Sequence, residues 1–391
     1  MTRVPKSVSA GIMFALLVCC ATAQEAKPRS LDKQLFDAIY NRDALSVERL
    51  LQKGANIEAR DQTSATPLIM AAEHAELDIV KLLLQEGANV EAKDQNQDSA
   101  LVHAARTGSP ETMEMLLAKV QNSQDKRRAL FEGIETGLAA VQVIVPESDA
   151  RARPAKSAAP TESPSVKIVR ELLDSGVGIE TRDEQGETPL IRAAGFGNTE
   201  VVQLLLDKGA DIAARDKQGS DALLAAACNC AVIDMPATYD AIQLLLEKGA
   251  EIESRRADGA TALIIAAGWG RTDNVRLLLD HGARIEANDT DGNTSLLVAA
   301  EGGAYPTADT VKFLLERNAN VRARNRKRQT ALMLAASGRG SEALDVISLL
   351  LSHGADPQAK DANGKTPAAI ATESGHPDIA GLLENALDGT R

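Results

Sequence analysis

Five histidines, four cysteines and one tryptophan are the residues of this 391-residue chain that first invite a chemical reading. The histidines stand at His74, His103, His281, His353 and His376, and no pair of them has metal-ligand spacing with a cysteine or carboxylate close by. A structural zinc asks for four ligands, and Cys228-x-Cys230 supplies two. No nucleophile motif and no phosphate-binding glycine loop occurs. The expectation is a protein that is not an enzyme and carries no cofactor or metal. In an oxidising compartment Cys228 and Cys230 are a candidate disulfide, with each other or to a second chain. The competing reading is two small apolar side chains near a helix end.

Two features suit recognition better than catalysis. Trp269 lies in AAGWGRTDNV between Gly268 and Gly270, in a chain with only 2% aromatic residues. Such a ring is either a binding anchor or packs under a neighbouring turn. A basic cluster, Arg317, Arg322, Arg324, Arg326, Lys327 and Arg328, stands out against a net charge of −12. It forms a local positive patch for an acidic partner or anionic surface, unless acidic neighbours balance it into an ordinary solvated face. Nucleic acid is not the expected partner, because the chain is acidic and the patch lacks interleaved aromatics.

The N-terminus adds a compartment. In MTRVPKSVSAGIMFALLVCCATAQEA, Arg3 and Lys6 precede an apolar stretch over 10–18 that is too short to span a bilayer. Ala21-Thr22-Ala23 then offers a small-x-small cleavage site, so residues 1–23 read as a secretory signal peptide. Cleavage near Ala23 predicts a periplasmic or extracellular protein without a membrane span, and it removes Cys19 and Cys20.

Length alone suggests two or three globular domains, but the chain repeats itself from Leu35 onward. Gly-Ala pairs end successive segments at Gly54, Gly87, Gly209, Gly249, Gly282 and Gly354, with variants at Gly176-Val177 and Asn318-Ala319. The steps from Gly54 to Gly87, Gly176 to Gly209 and Gly249 to Gly282 are each 33 residues. Within one unit, Thr188-Pro189 opens a first helix with a capping hydroxyl and a proline suited to the first turn. Ala193-Ala194 lets the next helix approach, Gly197 and Asn198 break the chain, and 201–206 supplies the apolar stripe of a second helix. Gly209 ends it in the left-handed conformation.

The stretch TPLIRAAGFGNTEVVQLLLDKGADIAARDKQG resembles the ankyrin repeat nearly throughout. The resemblance implies an all-α solenoid of stacked helix-turn-helix units joined by β-hairpin-like fingers. It covers about ten repeats over residues 31–391, after a tail at 24–30. One departure is systematic: where the family often has His two residues after Pro, this chain has Ile69, Val102, Ile191, Leu224, Ile264, Leu297, Met333 and Ala369. A Thr–His hydrogen bond is thereby lost. The resemblance also implies that the position after each first helix faces a groove that grips partners. His74, Phe196 and Trp269 occupy it, with Arg106 and Arg271 around them, and these are the candidate protein-binding residues.

Interruptions of the period fall between the two helices of a unit. The largest is a Pro/Ala/Ser-rich insertion at 138–164, and smaller ones carry Tyr239 and Tyr305 to either side of the repeat that holds Trp269. Variable loops on a rigid scaffold are where recognition tends to sit. The combined expectation is an exported, non-catalytic and monomeric scaffold. It binds another protein through its groove and the fingertip patch of Arg322, Arg324, Arg326, Lys327 and Arg328. The alternative is a secreted effector, or an inhibitor that neutralises a foreign or secreted protein.

Overall fold

The computed structural model describes residues 30–136, 162–228, 237–302, 307–338 and 342–388. The signal-peptide expectation, most of the long insertion, Cys230 and Tyr305 lie outside the described residues. Twenty helices occur there, taken in consecutive antiparallel pairs, and no strand. The chain divides into two compact units, Met1–Ala100 and Leu101–Arg391.

The first unit holds the pairs Leu31–Tyr40 with Ala44–Gln52 and Pro67–Glu73 with Leu77–Gln85. Its core is Leu35, Ile39, Val47, Leu68, Ile69, Ile79 and Leu83, all essentially buried. The second unit opens with Ala100–Thr107 and Pro110–Leu117, followed by Ser123–Glu135 and Pro164–Asp174. Six further pairs complete it, from Pro189–Gly195 with Thr199–Asp207 to Pro367–Glu373 with Pro377–Asp388. First helices pack on first helices and second on second, so each unit is a stack of two helical layers.

The sequence accounts for these short helices. The Thr66, Thr188, Thr261, Thr294, Thr330 and Thr366 hydroxyls each accept the N–H three residues on, which satisfies a donor the helix leaves open. Those donors belong to the very positions from which the family's His is missing, so the hydroxyl keeps its capping task without that partner. Alanine pairs such as Ala193-Ala194 and Ala266-Ala267 are fully buried and let helices approach closely. Gly268 goes further: a Cβ there would stand 2.8 Å from Val298 Cγ1. Gly209 ends its helix at φ +89°, and Asn318, standing in for glycine, takes φ 64°.

The fingers between pairs are hairpin-like turns without regular strands: the N–H groups of Asp61, Asp183, Asp216, Asp289 and Asp361 each donate to the carbonyl four residues on, and one isolated bridge joins Asn288 to Thr294. Backbone bonds such as Thr290 N–H to the Asp258 carbonyl join consecutive fingers, and two recurring side chains brace them further. Glu58, Glu180, Glu253 and Glu286 each accept a backbone N–H of the next finger, at Asn89, Asp211, Arg284 and Asn320, over 2.7–2.8 Å. Two residues beyond that turn position, the guanidiniums of Arg60, Arg182, Arg215 and Arg255 each donate to a carbonyl of their own finger and to one in the next. Charged partners make these hydrogen bonds stronger than neutral ones.

Candidate protein-binding face

The capping position after each first helix is where sequence placed the binding column. His74, Phe196, Trp269, Gly302, Gly338 and Ser374 are indeed the C-cap residues of their first helices. Phe196 and Trp269 are half-buried. Their helices lie in the second unit. In the first unit His74 meets Tyr40 edge-on, with centroids 5.7 Å apart, and Tyr40 is 70% exposed.

Arg106 is committed inside the fold, because its guanidinium makes a two-pronged pair with Glu132 at 3.0 Å on each prong. Arg271 is half-buried at the N-cap of Thr272–Asp280, in the inter-helix turn beside Trp269. His281 and His353 are structural, as each ring Nδ1 lies 2.8 Å from the carbonyl four residues earlier, on Leu277 and Leu349. Cys228 ends the helix Ala222–Cys228 and is disulfide-bonded.

A cluster that sequence reasoning missed centres on Arg192. Its guanidinium pairs with Glu135 at 2.8 Å, Glu187 at 2.6 Å and Asp183. It also lies over the rings of Phe131 and Phe196, at 5.6 and 5.9 Å from their centroids. Burial raises the pKa of Glu135, opposed by Arg192 and assisted by Glu132; burial likewise raises that of Glu187, with Arg192 opposing and Asp183 assisting. Burial works against the Arg192 charge, yet the surrounding carboxylates outweigh it and hold the proton more firmly than usual. The available signal was Arg192's register, four residues after the capping Thr, where later repeats carry Ala225, Ile265, Val298, Leu334 and Ile370.

That register divides the first-helix face of the second unit. At Arg192 it is charged and internally paired. From Ala225 to Ile370 it is apolar, with Ile265 and Leu334 only 7% and 6% exposed and Ala225, Val298 and Ile370 half-buried. Trp269 lies beside this apolar row. Space beside the Gly302 α-carbon is open, with no atom within 4 Å of where a Cβ would stand.

The fingertip patch keeps most of its members. Arg322, Arg324, Arg326, Lys327 and Arg328 are exposed, and among the described residues no carboxylate pairs with any of them. Arg324 differs from the rest because its guanidinium donates to the Lys360 carbonyl at 2.9 Å, as the bracing arginines of other fingers do. Arg317 stands apart, paired with Asp280 at 2.6 Å and lying over the Phe313 ring.

Ankyrin repeats (3 copies) is the family description that matches this chain, over residues 35–151, 157–255, 230–325 and 304–390. The chain belongs to the ankyrin-repeat family, whose members generally serve as protein-interaction scaffolds and are typically non-catalytic. A search of curated proteins gave no match. No helix among the described residues is long and apolar enough to cross a membrane.

Proposed function

We propose that this chain is an exported scaffold that binds another protein on the first-helix face of its second unit and on the adjoining fingertips. The observation that carries this reading is Trp269, the only tryptophan, half-buried at a capping position beside a row of apolar first-helix residues, Ala225, Ile265, Val298, Leu334 and Ile370. Aromatic side chains in partly desolvated settings supply much of the energy of protein interfaces. A stack of braced repeats presents them with little ordering left to lose on docking. Export rests on the signal-like residues 1–23, and a mature N-terminus at Gln24 is its direct check.

The test is crosslinking and pull-down in the native compartment, comparing wild type with Trp269→Ala. Removing a central anchor of this kind costs on the order of 2 kcal/mol or more, so capture of the wild-type partner falls about thirtyfold. Equal capture by both proteins moves the site off the Trp269 face. A variant that melts at distinctly lower temperature makes Trp269 a packing residue.

A further inference from the structure

The bracing of the fingers fails at one junction in a way that suggests a ligand. Glu58 and Arg322 occupy the same turn position: the Glu58 N–H is accepted by Asn56 Oδ1 and the Arg322 N–H by Asn320 Oδ1, both at 3.0 Å. Where Glu58, Glu180, Glu253 and Glu286 offer a carboxylate to the next finger, Arg322 offers a second donor. The N–H it leaves without an acceptor is that of Asp356, which stands two residues before Gln358 as Asn89 stands two before Glu91. Among the described residues no group accepts from it.

Ala213 also lacks the carboxylate, but there the position is merely blank. At Arg322 the charge is reversed and a recess of about 490 Å³ lies at the junction, lined by Val321, Arg322, Arg324, Thr330, Gly354, Asp356 and Ala359. Its charged members are two guanidiniums and the Asp356 carboxylate, whose Oδ1 already accepts the Gln358 N–H at 2.9 Å. The side chains of Arg326, Lys327 and Arg328 stand on the same finger with no ion pair among the described residues, which adds positive charge in a chain of net charge −12. An Arg guanidinium next to a free backbone N–H is a donor set suited to one carboxylate.

We infer that this recess binds a carboxylate from an acidic segment of the protein partner. Arg322 and the Asp356 N–H take the place that a neighbouring glutamate fills at the Glu58, Glu180, Glu253 and Glu286 junctions, and the basic fingertip draws the segment in. This assignment rests on the scaffold reading above and names the partner's chemistry.

The test uses the full mature chain, ¹⁵N-labelled, with a tetraglutamate peptide as probe and a tetraglutamine peptide as control. Tetraglutamate is expected to shift the Asp356 amide resonance, and tetraglutamine to leave it unchanged. Arg322→Ala should weaken binding roughly tenfold, the loss of one charge-assisted contact. Arg322→Glu should abolish it while raising the melting temperature, because the new carboxylate accepts the Asp356 N–H and completes the bracing. Three results overturn the inference: no Asp356 shift with tetraglutamate, equal binding by Arg322→Ala, or an equal shift with inorganic phosphate at the same concentration. If Arg322→Glu still captures a partner that Trp269→Ala loses, the carboxylate site falls and the scaffold stands. If Trp269→Ala captures the partner as well as wild type does, the scaffold reading fails on its own test.

Discussion

At the scale of single residues, Arg192 does the opposite of Trp269. Its charge is consumed by Glu135, Glu187 and Asp183, and its flat face by two rings, so it ties Phe196 to the body of the fold. The clustered carboxylates give a pH signature. With burial raising the pKa of Glu187 above the ordinary value of 4.5, the native state holds that proton more tightly than the unfolded chain. The contribution is therefore fully present below pH 4.5 and is lost as pH rises through the raised value. Urea midpoints of wild type and Glu187→Gln, compared upward from pH 4.5, should decline more steeply in wild type than in the variant, which keeps only the contribution of other buried carboxylates such as Glu135; parallel curves would contradict it. Trp269 was legible in the sequence through its rarity and its register. Arg192 was not, because its carboxylates arrive from Glu135 on another helix and from Asp183 and Glu187 in a finger, partners that no local spacing brings together.

At the scale of elements, the reading of the sequence was nearly complete for helices and for the turns of the fingers, but it missed the side chains that brace those fingers. Thr-Pro openings, alanine pairs and Gly-Ala endings are local signals, and each has a local physical task in the structure: a cap, a close approach, a left-handed turn. Thr261 shows the size of such a task. Its hydroxyl accepts the Ile264 N–H at 3.5 Å, and the residue is almost wholly buried. Thr261→Ala should cost about 1 kcal/mol of stability, measured by chemical denaturation with no change in the fold. The fingers are hairpin-like turns with backbone bonds across each and from each to the next, and side chains reaching to the next repeat add to that order. Each such contact spans roughly a full period of the chain and leaves no alternation of strand type to detect. The E-x-R pattern of Glu58-Ala59-Arg60, Glu180-Thr181-Arg182 and Glu253-Ser254-Arg255 was there to be read, but its meaning depends on the backbone that lies one period further along.

At the scale of the molecule, each unit is held by neighbour-to-neighbour contacts, and stability in such arrays is a sum of local and junction terms. Position along the second unit should therefore decide the reach of a cavity. Leu278 and Leu383 are both fully buried, the first in a central pair and the second in the last helix. Either truncation to alanine removes about 2–5 kcal/mol from its own repeat. Leu383→Ala should raise amide hydrogen exchange in the C-terminal pair alone, whereas Leu278→Ala should raise it on both sides of its repeat. Equal spread from the two sites would argue for one cooperative core.

The bracing has a direction. Glutamate and arginine of one finger serve the backbone of the next finger along the chain, never the one before. A replacement at a bracing position thus acts on its own finger and the junction that follows, which leaves distant junctions untouched. Arg322 has the form of one such edit. An array built this way can change the character of one junction by one substitution while the distant repeats keep their packing.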